Sequence, residues 1–213
     1  MHHTTRSSSC TRFGRAAALA LVASVTPAIA WAHHDMDGET PATFLDGLRS
    51  GLAHPVIGLD HLAMVLLVGA YCGATRQGLK PLVSFVGAGM LGCLMHAARW
   101  DLPRAEAGIG VSLVLLGIAA CALVRPRLPL VVALLGCFGV LHGYAFGESI
   151  VGAEPTPLVA YLLGLSVVQC ALGALAWRAA RPRQEDGALG STRLTALRAL
   201  GLAGAAIGAA ALL

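Results

Sequence analysis

Leu52-Ala53-His54-Pro55-Val56-Ile57-Gly58-Leu59-Asp60-His61 opens an apolar run that continues as LAMVLLVGAYCG from residue 62 to residue 73. A run of this length crosses hydrocarbon as a helix, which takes about 20 residues. Two imidazoles and a carboxylate nevertheless stand inside it. Hydrocarbon solvates ionisable groups poorly, so polar residues kept in such a segment default to function. Imidazole together with carboxylate suits nickel, cobalt, zinc and similar divalent ions. His54, Asp60 and His61 are therefore candidate metal ligands.

Their spacing adds a constraint. Seven residues of continuous helix place His54 and His61 on one face but about 10 Å apart along the axis, too far for one ion to bond both. Pro55 disfavours helical geometry at His54, and Gly58 permits a local break. The sequence thus predicts a helix broken near Gly58 that folds the ligands together, or two successive stations along a path.

Working outward, five more apolar segments follow: residues 81–98, 106–124, 128–146, 156–177 and 195–213. Charge and proline mark the breaks, as at Arg76 to Pro81, Arg99 to Arg104 and Arg125-Pro126-Arg127. Hydrophobic residues make up 56% of the chain, charged ones 12%, and mean hydropathy is +0.72. That balance excludes an ordinary soluble domain and makes the bilayer the relevant solvent. The net charge of +4 is scattered between apolar runs without interleaved aromatics, so nucleic acid is not an expected partner. The expected fold is all-α, a polytopic membrane bundle of six transmembrane helices over residues 52–213.

Ahead of it, Arg6, Arg12 and Arg15 precede the apolar run Ala16 to Val25 and small residues ending at Ala30 or Ala32. This is the layout of a cleavable signal peptide, residues 1–32, followed by a polar periplasmic leader, residues 33–51. With the mature N-terminus outside, the inner connections hold Arg76, Lys80, Arg125, Arg127, Arg178, Arg181, Arg183, Arg193 and Arg198, and the outer ones only Arg49, Arg99 and Arg104. The Lys/Arg bias therefore predicts an inner-membrane protein with both mature termini in the periplasm.

On that topology His96, Glu106, His142 and Glu148 fall toward the outer face. His142-Gly143-Tyr144-Ala145-Phe146-Gly147-Glu148 is a second candidate cluster, with glycines that allow close backbone approach. His96 is either a ligand or a hydrogen-bonded interfacial histidine. In the leader, His33 and His34 offer imidazoles that gather metal before it reaches the bundle. The six cysteines form no C-x-x-C pair and read as small apolar packing residues. Neither a Walker-type phosphate loop nor an H-E-x-x-H pair occurs, which speaks against nucleotide-driven pumping by this chain and against a zincin-type enzyme.

Three stretches resemble the HupE/UreJ family of hydrogenase and urease accessory membrane proteins: His54 to His61 running on to Leu62, Ala63, Met64 and Gly69; Glu106-Ala107-Gly108-Ile109; and His142-Gly143-Tyr144-Ala145 with Gly147-Glu148. The resemblance implies a six-helix permease for nickel, with cobalt as a second ion, an indirect link to nickel-enzyme maturation, and a requirement for the first-span histidines and aspartate. Two positions depart from the family pattern. Phe146 stands where a second histidine of the fourth-span motif is usual, and Gln169-Cys170 where the fifth span usually carries a histidine. A softer site that uses Cys170 would follow from the second change.

The reading that emerges is secondary uptake or facilitated passage of Ni2+ or Co2+. The metal set is His54, Asp60, His61, His142 and Glu148, with His96, Glu106, His33, His34 and Cys170 as additional candidates. The ion is cargo, and no prosthetic group is expected. The other partner is the lipid bilayer, and an oligomer is compatible with the sequence. The competing readings are an intramembrane metalloenzyme, in which the same cluster activates water, and a metal-sensing or assembly protein that does not transport.

Overall fold

A computed structural model describes residues 40–182 and 189–213. The expected signal peptide and the candidates His33 and His34 lie outside the described residues. Seven α-helices are present among the described residues: α1 Phe44–Ile57, α2 Leu59–Ala74, α3 Lys80–Ala97, α4 Ala105–Cys121, α5 Leu128–Phe146, α6 Pro155–Ala180 and α7 Ser191–Ala210. A 3-10 turn, Gly147–Ile150, follows α5 directly.

The first helix begins at Phe44, well before the expected start of the apolar segment at residue 52. The cause is a capping box: Thr43 Oγ1 accepts from the Asp46 amide at 3.2 Å, and Asp46 Oδ2 accepts from the Thr43 amide at 3.2 Å. His54 and Pro55 are both helical, contrary to the expectation that Pro55 would push His54 out of the helix. Pro55 sits in the last turn, so its missing amide costs one hydrogen bond at a helix already about to end. The break falls on Gly58 alone, extended at φ −71 and ψ 108, and α2 leaves at 78° to α1.

By length and composition, α3, α5 with its 3-10 turn, and α6 are long and apolar enough to cross a membrane, and the broken α1–α2 pair passes together as a fourth. Helix α4 is apolar over 17 residues, and α7 carries Arg193 and Arg198.

Glycine sets the helix pairing. A Cβ on Gly47 or Gly51 of α1 would collide with the carbonyls of Pro157 and Tyr161 on α6, and one on Gly69 or Gly73 of α2 with those of Gly173 and Trp177 farther along α6. The broken pair thus lies along the two halves of one long helix. Gly92 and Gly143 close α3 onto α5 against the carbonyls of Val140 and Gly89. Gly117 and Gly208 close α4 onto α7 against those of Gly201 and Gly110. Without water to drive apolar surfaces together, such backbone approach supplies the dispersion that holds membrane helices. The result is three zipped units: α1–α2 with α6, α3 with α5, and α4 with α7.

Met64, Leu67, Phe85, Leu113 and Leu135 fill the main core, and a second cluster gathers Cys93, Phe146, Ile150, Tyr161 and Leu165. The outer surface is aliphatic, with Val83, Leu91, Leu115, Leu134, Val167 and Leu175 all exposed, while His61, His142, Ser112 and Gln169 are buried. Apolar outside and polar inside is the distribution a bilayer imposes.

The packing generates a paired test. Gly143→Ala puts a methyl onto the Gly89 backbone and should destabilise the bundle by about 2 kcal/mol or more. Gly87→Ala points into open space and should leave stability unchanged or slightly raised. Thermal unfolding in detergent, followed by size-exclusion chromatography, compares the two.

Candidate functional site

The break at Gly58 positions the first motif. At the N-terminus of α2, Asp60 Oδ1 accepts from the backbone amide of His61 at 2.9 Å. Its negative charge there meets the positive end of the helix dipole. The His61 ring folds back over the break, so that a Cβ on Gly58 would lie 2.8 Å from His61 Cδ2 and 3.3 Å from Asp60 Oδ1. Gly58 is demanded by this close approach, since its φ is one that any residue adopts. The bend brings the ring centroids of His54 and His61 to 6.0 Å.

His142, in the last turns of α5, completes the cluster. Its Nδ1 lies 3.1 Å from His61 Nδ1, a hydrogen-bond length. Its Nε2 lies 3.0 Å from Ser112 Oγ on α4. His54 is held on the other side: its Nδ1 is 2.9 Å from Tyr161 Oη of α6 and 3.0 Å from Ser149 Oγ of the 3-10 turn. Burial deepens along the series, from the half-buried His54 through His61 at 6% exposure to His142 at 1%. Among the described residues no three His, Cys, Asp or Glu side chains form a ready coordination cage. Such side chains approach in pairs, as His61 and His142 do at 3.1 Å.

The other expected ligands are placed as follows. Glu148 is exposed in the 3-10 turn, next to the Ser149 that reaches His54. Glu106 is exposed in the first turn of α4. His96 stacks on Tyr144 at 4.3 Å and donates from Nδ1 to the Tyr144 carbonyl at 2.7 Å, the geometry of a hydrogen-bonded interfacial histidine. Cys170 is exposed on α6, and its neighbour Gln169 takes the inward position at 2% exposure. Tyr161, Leu165, Gln169 and Gly173 recur every fourth residue, one buried stripe of α6.

Phe146 is 1% exposed and makes ring contacts with both His54, at 5.1 Å, and His61, at 4.2 Å. The aromatic ring thus packs against both imidazoles. Nothing in the sequence marks Ser112, Ser149 and Tyr161 as part of the site. Single hydroxyls in apolar helices usually bond back to their own helix, as Ser166 does to the Leu162 carbonyl at 2.7 Å. Ser112 keeps such a bond, to the Ile109 carbonyl at 2.7 Å, and reaches His142 as well; only the tertiary fold separates it, Ser149 and Tyr161 from such cases.

The sequence profile described as "HupE / UreJ protein" matches residues 19–211. Protein HupE of Rhizobium leguminosarum bv. viciae is 29% identical over 160 residues, which cover 72% of this chain and 78% of that protein. No solved structure matches.

Gly58→Ala tests the site without removing a ligand. The added methyl forces the His61 ring off its position, and the contact between His61 Nδ1 and His142 Nδ1 should be lost. Histidine ring shifts in nitrogen NMR read the contact, and circular dichroism should show unchanged helix content.

Proposed function

The chain belongs to the HupE/UreJ family, and from that premise we propose that it is a membrane permease for a divalent transition metal, nickel first and cobalt second. The observation that supports this reading is the convergence of His54, Asp60, His61 and His142 beside a broken helix, inside a bundle whose exterior is aliphatic. Nitrogen and oxygen donors of this kind suit Ni2+. Discontinuous helices that place ligands within the bundle are a recurring device of secondary transporters.

In this reading the broken α1–α2 pair counts as one crossing, and α4 and α7 join α3, α5 and α6 to give six. Helix α4, at 17 residues, is about 25 Å long and spans a bilayer at its thin limit. The Lys/Arg bias sets both mature termini outside, with residues 1–32 as an export signal, in the cytoplasmic membrane. The histidines then face the periplasm. The loop of Trp100 lies at the same end as the cluster, tied to α5 by Tyr144 Oη donating to the Trp100 carbonyl at 2.9 Å.

The ion sheds water as it meets His54, passes to Asp60 and His61, and is released inward as the bundle rearranges. A few exchangeable ligands serve such a path, because a cargo ion must leave as readily as it binds. Delivery of nickel or cobalt would supply metalloenzyme maturation in the cell.

Uptake decides the matter. Cells expressing the chain should accumulate labelled Ni2+ above control cells, with unlabelled Co2+ competing, and His61→Ala should return accumulation to background. If uptake of neither ion depends on the protein, the permease reading fails.

A further inference from the structure

Two hydroxyl groups at the edge of the histidine cluster have already committed their protons. Tyr161 Oη lies 2.7 Å from the Phe146 carbonyl oxygen, and Ser112 Oγ lies 2.7 Å from the Ile109 carbonyl oxygen. Two oxygens at that distance repel unless a proton stands between them, and a carbonyl has none to give. Each hydroxyl therefore donates to its carbonyl. Toward the nearby imidazole each has only a lone pair left.

The consequence runs through the rings. His142 Nε2, 3.0 Å from Ser112 Oγ, must carry the proton. A neutral imidazole has one N–H, so His142 Nδ1 holds a lone pair. That lone pair faces His61 Nδ1 at 3.1 Å, which must then be the N–H donor; in the neutral ring this puts the lone pair of His61 on Nε2. On the other side Tyr161 Oη is 2.9 Å from His54 Nδ1, so His54 is also the Nδ1–H form, with Ser149 Oγ at 3.0 Å as a second acceptor. Its lone pair, too, is on Nε2.

We propose that Ser112 and Tyr161 are positioning residues that fix the tautomers of the three histidines, so that His54 and His61 meet an incoming divalent cation through Nε2 while His142 orients His61. The purpose assigned to this arrangement rests on the permease reading, whereas the tautomers follow from the hydrogen bonds of the neutral rings. Bonding at the far nitrogen in this way is how outer partners hold metal-ligating histidines. No proton need leave an imidazole for the ion to bind. Both first-motif rings are loaded from a single neutral state.

Nitrogen NMR of the full chain in lipid nanodiscs, labelled with 15N-histidine and assigned by single-site variants, reads the tautomers directly. Without metal, His54 and His61 should be protonated at Nδ1 and His142 at Nε2. Ser112→Ala should release His142 and His61 into interconverting forms, and Ser112→Thr should restore the wild-type pattern. Tyr161→Phe combined with Ser149→Ala should do the same to His54 alone. With Zn2+ as a diamagnetic probe, the shifts should appear at Nε2 of His54 and His61, and Ser112→Ala should weaken zinc binding by about 10- to 100-fold.

A wild-type His142 protonated at Nδ1, or a tautomer pattern unchanged by Ser112→Ala, overturns the proposal. So does zinc bound at His142 Nδ1. Should Ser112→Ala not fold, the wild-type spectrum still decides. The stated tautomers in a protein that transports nothing would leave this inference standing and remove the permease reading. Reversed tautomers in a protein that transports nickel would do the opposite.

Discussion

At Gly58 the backbone leaves the helical ladder for a single residue, and the His61 ring and Asp60 carboxylate fold into the space a side chain would have filled. The rest of the site depends on that fold-back. It turns a separation of about 10 Å along a continuous helix into a ring-to-ring distance of 6.0 Å. It also sends α1 and α2 along successive halves of α6, so that Tyr161 arrives beside His54 and Gly173 beside Gly69. A helix unbroken at this point would carry His54 and His61 past each other's partners.

Much of this was legible in the sequence. The spacing of His54 and His61 already required a break or two stations, and Gly58 was the residue able to provide the break. The place of His142 late in an apolar segment already put it near the end of its helix, where it meets His61. Pro55 disfavours helical geometry at the residue before it, yet His54 is helical. A proline costs one amide donor, and in a final turn that loss is small enough for the helix to run on to Ile57. The early start of α1 was present in Thr43 and Asp46 but invisible to a reading by hydropathy.

What the sequence did not reveal was the company the histidines keep. Ser112, Ser149 and Tyr161 come from three different elements, and no spacing rule links them. The replacement of an expected imidazole by Phe146 was visible as a lost ligand. Its structural effect was not, since only packing shows one ring touching both His54 and His61. Gln169 and Cys170 illustrate the same limit. Adjacent residues on a helix differ by about 100° in direction, and it is the amide, not the thiol, that turns inward.

The three glycine-zipped units have one polar thread in common. His61 belongs to the unit of α2 and α6, His142 to that of α3 and α5, and Ser112 to that of α4 and α7, so the chain of contacts at 3.1 Å and 3.0 Å stitches all three together at a single level of the bundle. Within each unit the backbones are too close to slide. Between units the polar contacts run through side chains, as where Tyr161 Oη donates to the Phe146 carbonyl at 2.7 Å. Any displacement of one unit against another by about an ångström breaks a link of this thread, since hydrogen bonds weaken steeply outside their narrow length range. The thread is thus a gauge: it registers, in the state of two imidazoles, the relative position of the three zipped units.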